Sequence, residues 1–140
     1  MNPPNWEHFP HEADVGIRGW GTTLAEAFEQ AALALTAVVT PLDVIQPTKK
    51  ISLECWAMDQ EVLFLEWLNE IIYFMATENM LFSKYELKIT RDRLTAELWG
   101  EPLDYSRHQP AVEVKGATFT CLEVKRVQPH QWYAQCVVDV

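Results

Sequence analysis

The stretch from about Glu61 to Thr77 limits the possible folds more than any other part of this chain. Leu65, Leu68, Ile72 and Met75 fall on one helical face, and Val62, Trp67 and Ile71 widen it. A helix this apolar must bury more than half its circumference, so other elements have to cover it on several sides. Asp59 stands where a cap residue is needed. A second helix is predicted from about Leu24 to Val39, with Leu24, Phe28, Ala31, Leu35 and Val38 in one stripe. Thr22 or Thr23 caps it, and Thr23 followed by Glu26 fits a capping box. Thr40-Pro41 ends it, because the residue before proline avoids helical angles. The first helix and a sheet are the expected cover for the second.

The rest of the chain is strand-like. Residues 1–10 are Pro-rich and read as irregular. Val15 and Ile17 alternate with Gly16 and Arg18 in a strand that starts at Asp14 and ends at Gly19-Trp20-Gly21. Ile51 to Ala57 alternates likewise. Glu86 to Ile89 and Leu94 to Leu98 form a hairpin about the polar Arg91-Asp92-Arg93 turn. Gly100 to His108 is a polar loop. Val112 to Lys115 starts another strand; Thr120, Leu122 and Val124 alternate in the next; Val127 to Gln131 turns the chain; Trp132 to Val140 is the last strand. The expected fold is α+β, one domain over residues 1–140, with two helices packed on one mainly antiparallel sheet of about six strands.

Composition narrows function. The 140 residues are 49% hydrophobic and carry a formal charge of −9, from 20 acidic against 11 basic side chains. That balance opposes nonspecific nucleic-acid binding, whose phosphates call for a basic surface. A basic protein partner or a metal suits it better. No run reaches the ~20 apolar residues of a membrane span. Met1 to Trp6 lacks the basic and apolar regions of a secretory signal, so a soluble cytoplasmic protein is expected. Cys55, Cys121 and Cys136 match no zinc spacing and read as buried free thiols. No nucleophile elbow, phosphate loop or dinucleotide fingerprint is present.

The residues of most interest lie at the two ends. Asp14 follows His11-Glu12-Ala13, and Asp139 precedes Val140. If the first and last strands end side by side, two side-chain carboxylates and the terminal carboxylate of Val140 converge, the oxygen donor set that hard cations prefer. The alternative is that Asp14 caps a turn and Asp139 is a solvated chain end. Cys121 with His130 is a weak thiol–imidazole pair, because a catalytic Cys needs an electropositive, partly exposed setting. Glu66 and Glu70 read as a solvated helical face. Asn69 and Glu70 interrupt an apolar helix, where polar groups bond neighbouring backbone. Lys115 is either an exposed strand lysine or a cation beside the acids or a partner. Glu101 and His108 fall in a loop, where sites concentrate.

Four segments together resemble the archease family: His11 to Gly21 with Thr23 to Phe28; Leu65 to Tyr73, containing Trp67-Leu68-Asn69-Glu70; Gly100-Glu101 with His108; and Val112 to Val124 with Val137-Val138-Asp139-Val140. The resemblance implies an accessory factor of the RtcB-type RNA ligase, not an enzyme. Such a factor promotes guanylylation of a ligase that uses GTP, and restores its multiple turnover in tRNA splicing. It also implies a divalent cation, calcium first with magnesium or manganese as alternatives, held by Asp14, Asp139 and Val140. Lys115 is similar to the family's strand lysine, and Glu26 to its first-helix acid. Three positions depart from the pattern: Glu12 for a usual Thr, Gly116 for Ala, and Thr118-Phe119-Thr120 for Thr-Tyr-His. A different expectation, from the acidic surface, is a stand-alone chaperone-like protein-binding module. A metal-dependent hydrolase ranks below both, because no base or oxyanion donor accompanies the carboxylates.

Overall fold

In the computed structural model, which describes residues 5–140, both long helices begin at the side chains expected to cap them. The helix α1 (Leu24–Val39) starts where Thr23 Oγ1 accepts the Glu26 N–H at 3.1 Å. The helix α2 (Gln60–Thr77) starts where the Asp59 carboxylate accepts from Glu61 and Val62 N–H at 2.7 and 3.0 Å. The third, α3 (Tyr105–His108), is a single turn capped by Asp104.

Eight strands surround them: β1 (Trp6–His11), β2 (Asp14–Gly21), β3 (Lys49–Trp56), β4 (Met80–Thr90), β5 (Arg93–Pro102), β6 (Gly116–Ala117), β7 (Glu123–Gln128) and β8 (Gln131–Asp139). The fold is α+β and every strand pair is antiparallel. The strands form two sheets rather than one. A five-stranded sheet runs β1-β2-β8-β6, with β7 also on β8, and a three-stranded sheet runs β3-β5-β4. Alternation identifies a strand but not its partner, so one pattern serves either arrangement.

Both long helices touch both sheets. Phe28, Phe64, Trp67, Leu68, Ile71, Phe82, Leu94 and Leu98 fill the space between them, fully enclosed. Buried polar atoms are matched there. Trp67 Nε1–H donates to Phe28 O at 3.0 Å, and Thr36 Oγ1 lies 2.6 Å from Tyr85 Oη. The helix α1 presses directly on β2 at Gly19, where a Cβ would stand 2.2 Å from Ala31 N and 2.5 Å from Ala27 O. Only glycine permits that approach.

Three local expectations are corrected. Residues 6–11 are not irregular but form β1, an outer strand, where Pro10 removes no needed ladder bond; the remainder, residues 1–4, lies outside the described residues. Val112 to Lys115 is not a strand, because Ala111 N–H turns to Val39 O at the end of α1 and ladder pairing with β8 is confined to Gly116 and Ala117, Lys115 adding a single N–H bond to Asp139 O. Residues 118–122 form a turn in which Cys121 takes a positive φ of 57°, so Cys121 is exposed while Cys55 and Cys136 are buried.

Candidate functional site

The strands β2 and β8 pair with Val15 opposite Val138, Gly16 opposite Val137 and Ile17 opposite Cys136. That register, carried one step outward, sets Asp14 beside Asp139. Side chains alternate across a strand, and Ile17, Cys136 and Val138 face the core. Asp14 and Asp139 therefore share the opposite, outer face. The main chain closes the end of the sheet: Val140 N–H donates to Asp14 Oδ1 at 3.3 Å across 126 residues of sequence. Sequence reasoning brought these three residues together only conditionally; the strand pairing does so directly.

Two carboxylates on directly opposed positions repel, and side chains so placed have Cβ atoms only about 5 Å apart. Neither aspartate has an ion-pair partner within 4.0 Å among the described residues. Arg18, four residues and about 13 Å along β2 from Asp14 at ~3.3 Å per residue, is committed elsewhere, to Glu7 and to Gln135 Oε1 at 2.7 Å. The donor set is hard oxygen, which fits calcium or magnesium. It is also sparse: among the described residues no group of three or more His, Cys, Asp or Glu side chains is placed to hold a metal. Two side chains and the main-chain oxygen of Val140 leave coordination positions for water or a partner's oxygen.

Lys115 flanks this pair. Its N–H donates to Asp139 O at 2.8 Å, and Gly116 pairs with Asp139. Its side chain is exposed and forms no ion pair among the described residues. Glu26 is elsewhere. It packs beside Gly21, seven residues and about 23 Å along β2 from Asp14 at ~3.3 Å per residue. Its carboxylate accepts from Thr22 N–H at 2.8 Å and Thr22 Oγ1–H at 2.6 Å, which holds it below the usual carboxylate range. The capping box is thus completed through Thr22 rather than Thr23.

Glu101 and His108 form a buried network. Glu101 Oε2 accepts from Gln46 N–H at 2.6 Å and from His108 Nε2–H at 3.0 Å, and Oε1 accepts from Arg107. Asp104 N–H donates to His108 Nδ1 at 2.9 Å, which fixes the Nε2–H tautomer. Thr40 Oγ1–H donates to His108 O at 2.6 Å, tying the network to the end of α1. The Arg107 hydrogen bond above all, then Gln46 N–H and His108, hold the Glu101 carboxyl down to about 2 against the opposing effect of burial. The roles of Thr40, Gln46 and Arg107 have no signal in the sequence. Cys121 and His130, flagged as a weak pair, are both exposed and share no hydrogen bond among the described residues. Asn69, expected to bond neighbouring backbone, accepts Ala117 N–H at 2.9 Å.

Residues 6–140 match the family model described as Archease protein family (MTH1598/TM1083). The chain is 37% identical over 139 residues to protein archease of Pyrococcus furiosus, covering 96% of this chain and 98% of that one. It is 29% identical over 141 residues to the archease-like protein of Drosophila melanogaster, covering 96% and 90%. The solution structure of protein 1598 of Methanobacterium thermoautotrophicum superposes with a TM-score of 0.87 at 30% identity, over 99% of this chain and all of the other. A Thermotoga maritima structure, described as an archease and possible chaperone, shares the fold with a TM-score of 0.61 at 16% identity, covering 100% of this chain and 98% of that one. On the family match and these identities, the chain belongs to the archease family.

Proposed function

We propose that this chain is an accessory activator, not itself a catalyst, of a GTP-dependent RNA-splicing ligase of the RtcB type. It promotes guanylylation of the ligase and its return to multiple turnover in tRNA splicing, and it acts in the cytoplasm. The observation that carries this reading is the opposed pair Asp14 and Asp139, with Val140 hydrogen-bonded to Asp14 and no cationic side chain paired to either aspartate among the described residues. Such a pair is relieved by a divalent cation. Calcium, which takes about six to eight oxygen ligands in flexible geometry, is the first expectation, with magnesium or manganese as alternatives.

In this reading Asp14 and Asp139 supply side-chain oxygens and Val140 a main-chain oxygen. Asp14 Oδ1 already accepts the Val140 N–H, so Oδ2 is the oxygen left for an ion. The bound cation supplies positive charge at the tip of an otherwise acidic protein. The net charge of −9 complements the basic cleft an RNA ligase must present. Lys115 stands beside the acids as a partner contact, and Glu26 acts at a distance by fixing the start of α1. GTP is bound by the ligase and not by this chain alone; no direct nucleic-acid or membrane contact is part of the reading. Among the described residues no helix is long and apolar enough to cross a membrane.

The test is a multiple-turnover RNA-joining assay with the cognate ligase, comparing the wild-type chain with Asp14→Ala and Asp139→Ala. Both variants should fold, because the pair lies outside the core, and both should lose stimulation. Full stimulation by both defeats the site.

One observation favours a second reading. Ile72, Met75, Leu81, Leu103, Tyr105 and Val112 line an open groove of about 430 Å³, and Phe119, Tyr105 and Tyr73 are exposed elsewhere or at its rim. A chaperone-like module would use such surface to hold other proteins. Affinity capture from native cytosol separates the two: an RNA ligase supports the activator, a broad set of unfolded clients the module.

A further inference from the structure

We propose that Asn69 is a positioning residue, holding Lys115 beside the Asp14–Asp139 pair by tying down the strap that carries it. The proposal rests on the activator reading, in which Lys115 meets the partner. The strap, residues 109–118, has little regular structure of its own, since only Gly116 and Ala117 are in a strand. Backbone N–H groups tie it down along its length, beginning with Gln109 N–H to Tyr105 O at 3.1 Å. Ala111 N–H goes to Val39 O at 2.8 Å, Lys115 N–H to Asp139 O at 2.8 Å, Thr118 N–H to Val137 O at 3.1 Å, and Ala117 N–H to Asn69 Oδ1 at 2.9 Å. The Ala117 bond is the one among them made to a side chain. It lies two residues from Lys115, on the side of β6 away from β8.

The element bearing Asn69 is rigid. Trp67, Leu68 and Ile71 around it on α2 are fully enclosed in the core. Asparagine is a poor residue for a helix interior, worse than the Glu or Lys that would suit an exposed site. At this exposed position the asparagine oxygen accepts the Ala117 N–H at 2.9 Å, which is what offsets its poor helix propensity. The need for the tie is greater here because residue 116 is glycine, whose backbone loses more freedom on ordering than any other. A Cβ at 116 would meet only Asn69 Oδ1, at an ordinary 3.7 Å, so nothing steric requires the glycine. Lys115 thus precedes the flexible link at Gly116, and the amide that Asn69 pins, Ala117, stands immediately beyond that link.

The experiment uses the full chain with Asn69→Ala, Asn69→Asp, which keeps the acceptor, and Asn69→Ala combined with Gly116→Ala. Amide hydrogen exchange at Lys115 and Ala117 is read by NMR, calcium binding by calorimetry with calcium alone, and stimulation by RNA joining with the cognate ligase. Asn69→Ala should fold, bind calcium like wild type, and lose protection at Ala117 and Lys115 by about five- to tenfold, the range of one hydrogen bond. The concentration giving half-maximal stimulation should rise several-fold while the maximal rate holds. Asn69→Asp should restore both, and Gly116→Ala should restore part. Protection at Lys115 within twofold of wild type in Asn69→Ala overturns the proposal, as does lost protection with unchanged stimulation. A wild-type chain that fails to stimulate the ligase overturns the activator reading itself, and the proposal with it.

Discussion

Replacing Glu101 by Gln should destabilise the fold in a pH-dependent way. Glu101 is 8% exposed and accepts three hydrogen bonds, two on Oε2 and one from Arg107 on Oε1. Its carboxyl is held at about 2 against an ordinary 4.5. At 1.36 kcal/mol per unit that difference is worth ~3 kcal/mol, and water around the half-exposed Arg107 screens it to ~2 kcal/mol. Glutamine offers one oxygen and one N–H₂ to three donors, so at least one donor meets another donor, a further ~1 kcal/mol. The sum, about 3 kcal/mol, corresponds to a drop in Tm of about 10 °C for a chain of this size. The sign follows from the depressed carboxyl. Its stabilisation is complete above about 4.5 and is lost as pH falls toward about 2, where the folded carboxyl takes up its proton. By pH 3.5 about four-tenths of that electrostatic part should be gone. Urea unfolding of wild type and Glu101→Gln at pH 7 and pH 3.5 measures the gap, and titration of other carboxylates cancels in the difference. An equal gap at both values, or a gap under ~0.5 kcal/mol at pH 7, would refute the reasoning.

Three further outcomes are expected. Thr36→Val should cost ~1–3 kcal/mol in urea unfolding by leaving the enclosed Tyr85 hydroxyl without its partner, and Thr36→Val with Tyr85→Phe should cost ~1 kcal/mol less than the two singles summed; strict additivity contradicts the bond. In native protein Ellman's reagent should titrate Cys121 alone, because burial pushes the Cys55 and Cys136 thiols up to about 12; a native count above one would refute that packing. Gly19→Ala should lower stability by ~2–3 kcal/mol, since its Cβ meets α1 backbone at 2.2 Å; an unchanged Tm would mean that α1 does not sit against β2 as described.

The helices were legible because everything that defines them is local. Thr23, Asp59 and Pro41 mark their ends, and the apolar stripes repeat within a few turns, so the range read for α1 is the range observed. The β4–β5 hairpin was legible at its turn but runs further on both sides, to Met80 and Pro102, because Met80-Leu81-Phe82 and Trp99-Gly100 do not alternate. A register shift between Phe82 and Lys84 lets that stretch pair without alternating. The strand β1 was hidden by Pro10, which demotes a strand reading unless the strand is known to lie at an edge. The number of sheets was illegible for a deeper reason: β8 takes β2 on one side and both β6 and β7 on the other, and nothing local in β8 records three partners.

The candidate site divides in the same way. Its residue types, and the adjacency of Asp139 and Val140, are written in the chain. The meeting of Asp14 with them depends on a register that no segment encodes alone. A slip of one residue between β2 and β8 would turn Asp139 to the other face and push Ile17, Cys136 or Val138 out of the core. Burying those three side chains is worth several kcal/mol at ~1.5–3 kcal/mol for each large apolar one, whereas two opposed like charges cost at most about 1 kcal/mol on a strand surface. The core therefore wins and holds the aspartates together against their repulsion. In the proposed reading that imbalance preorganises the end of the sheet: a cation, or a cationic group of a partner, would relieve a repulsion that the packing of the core already imposes.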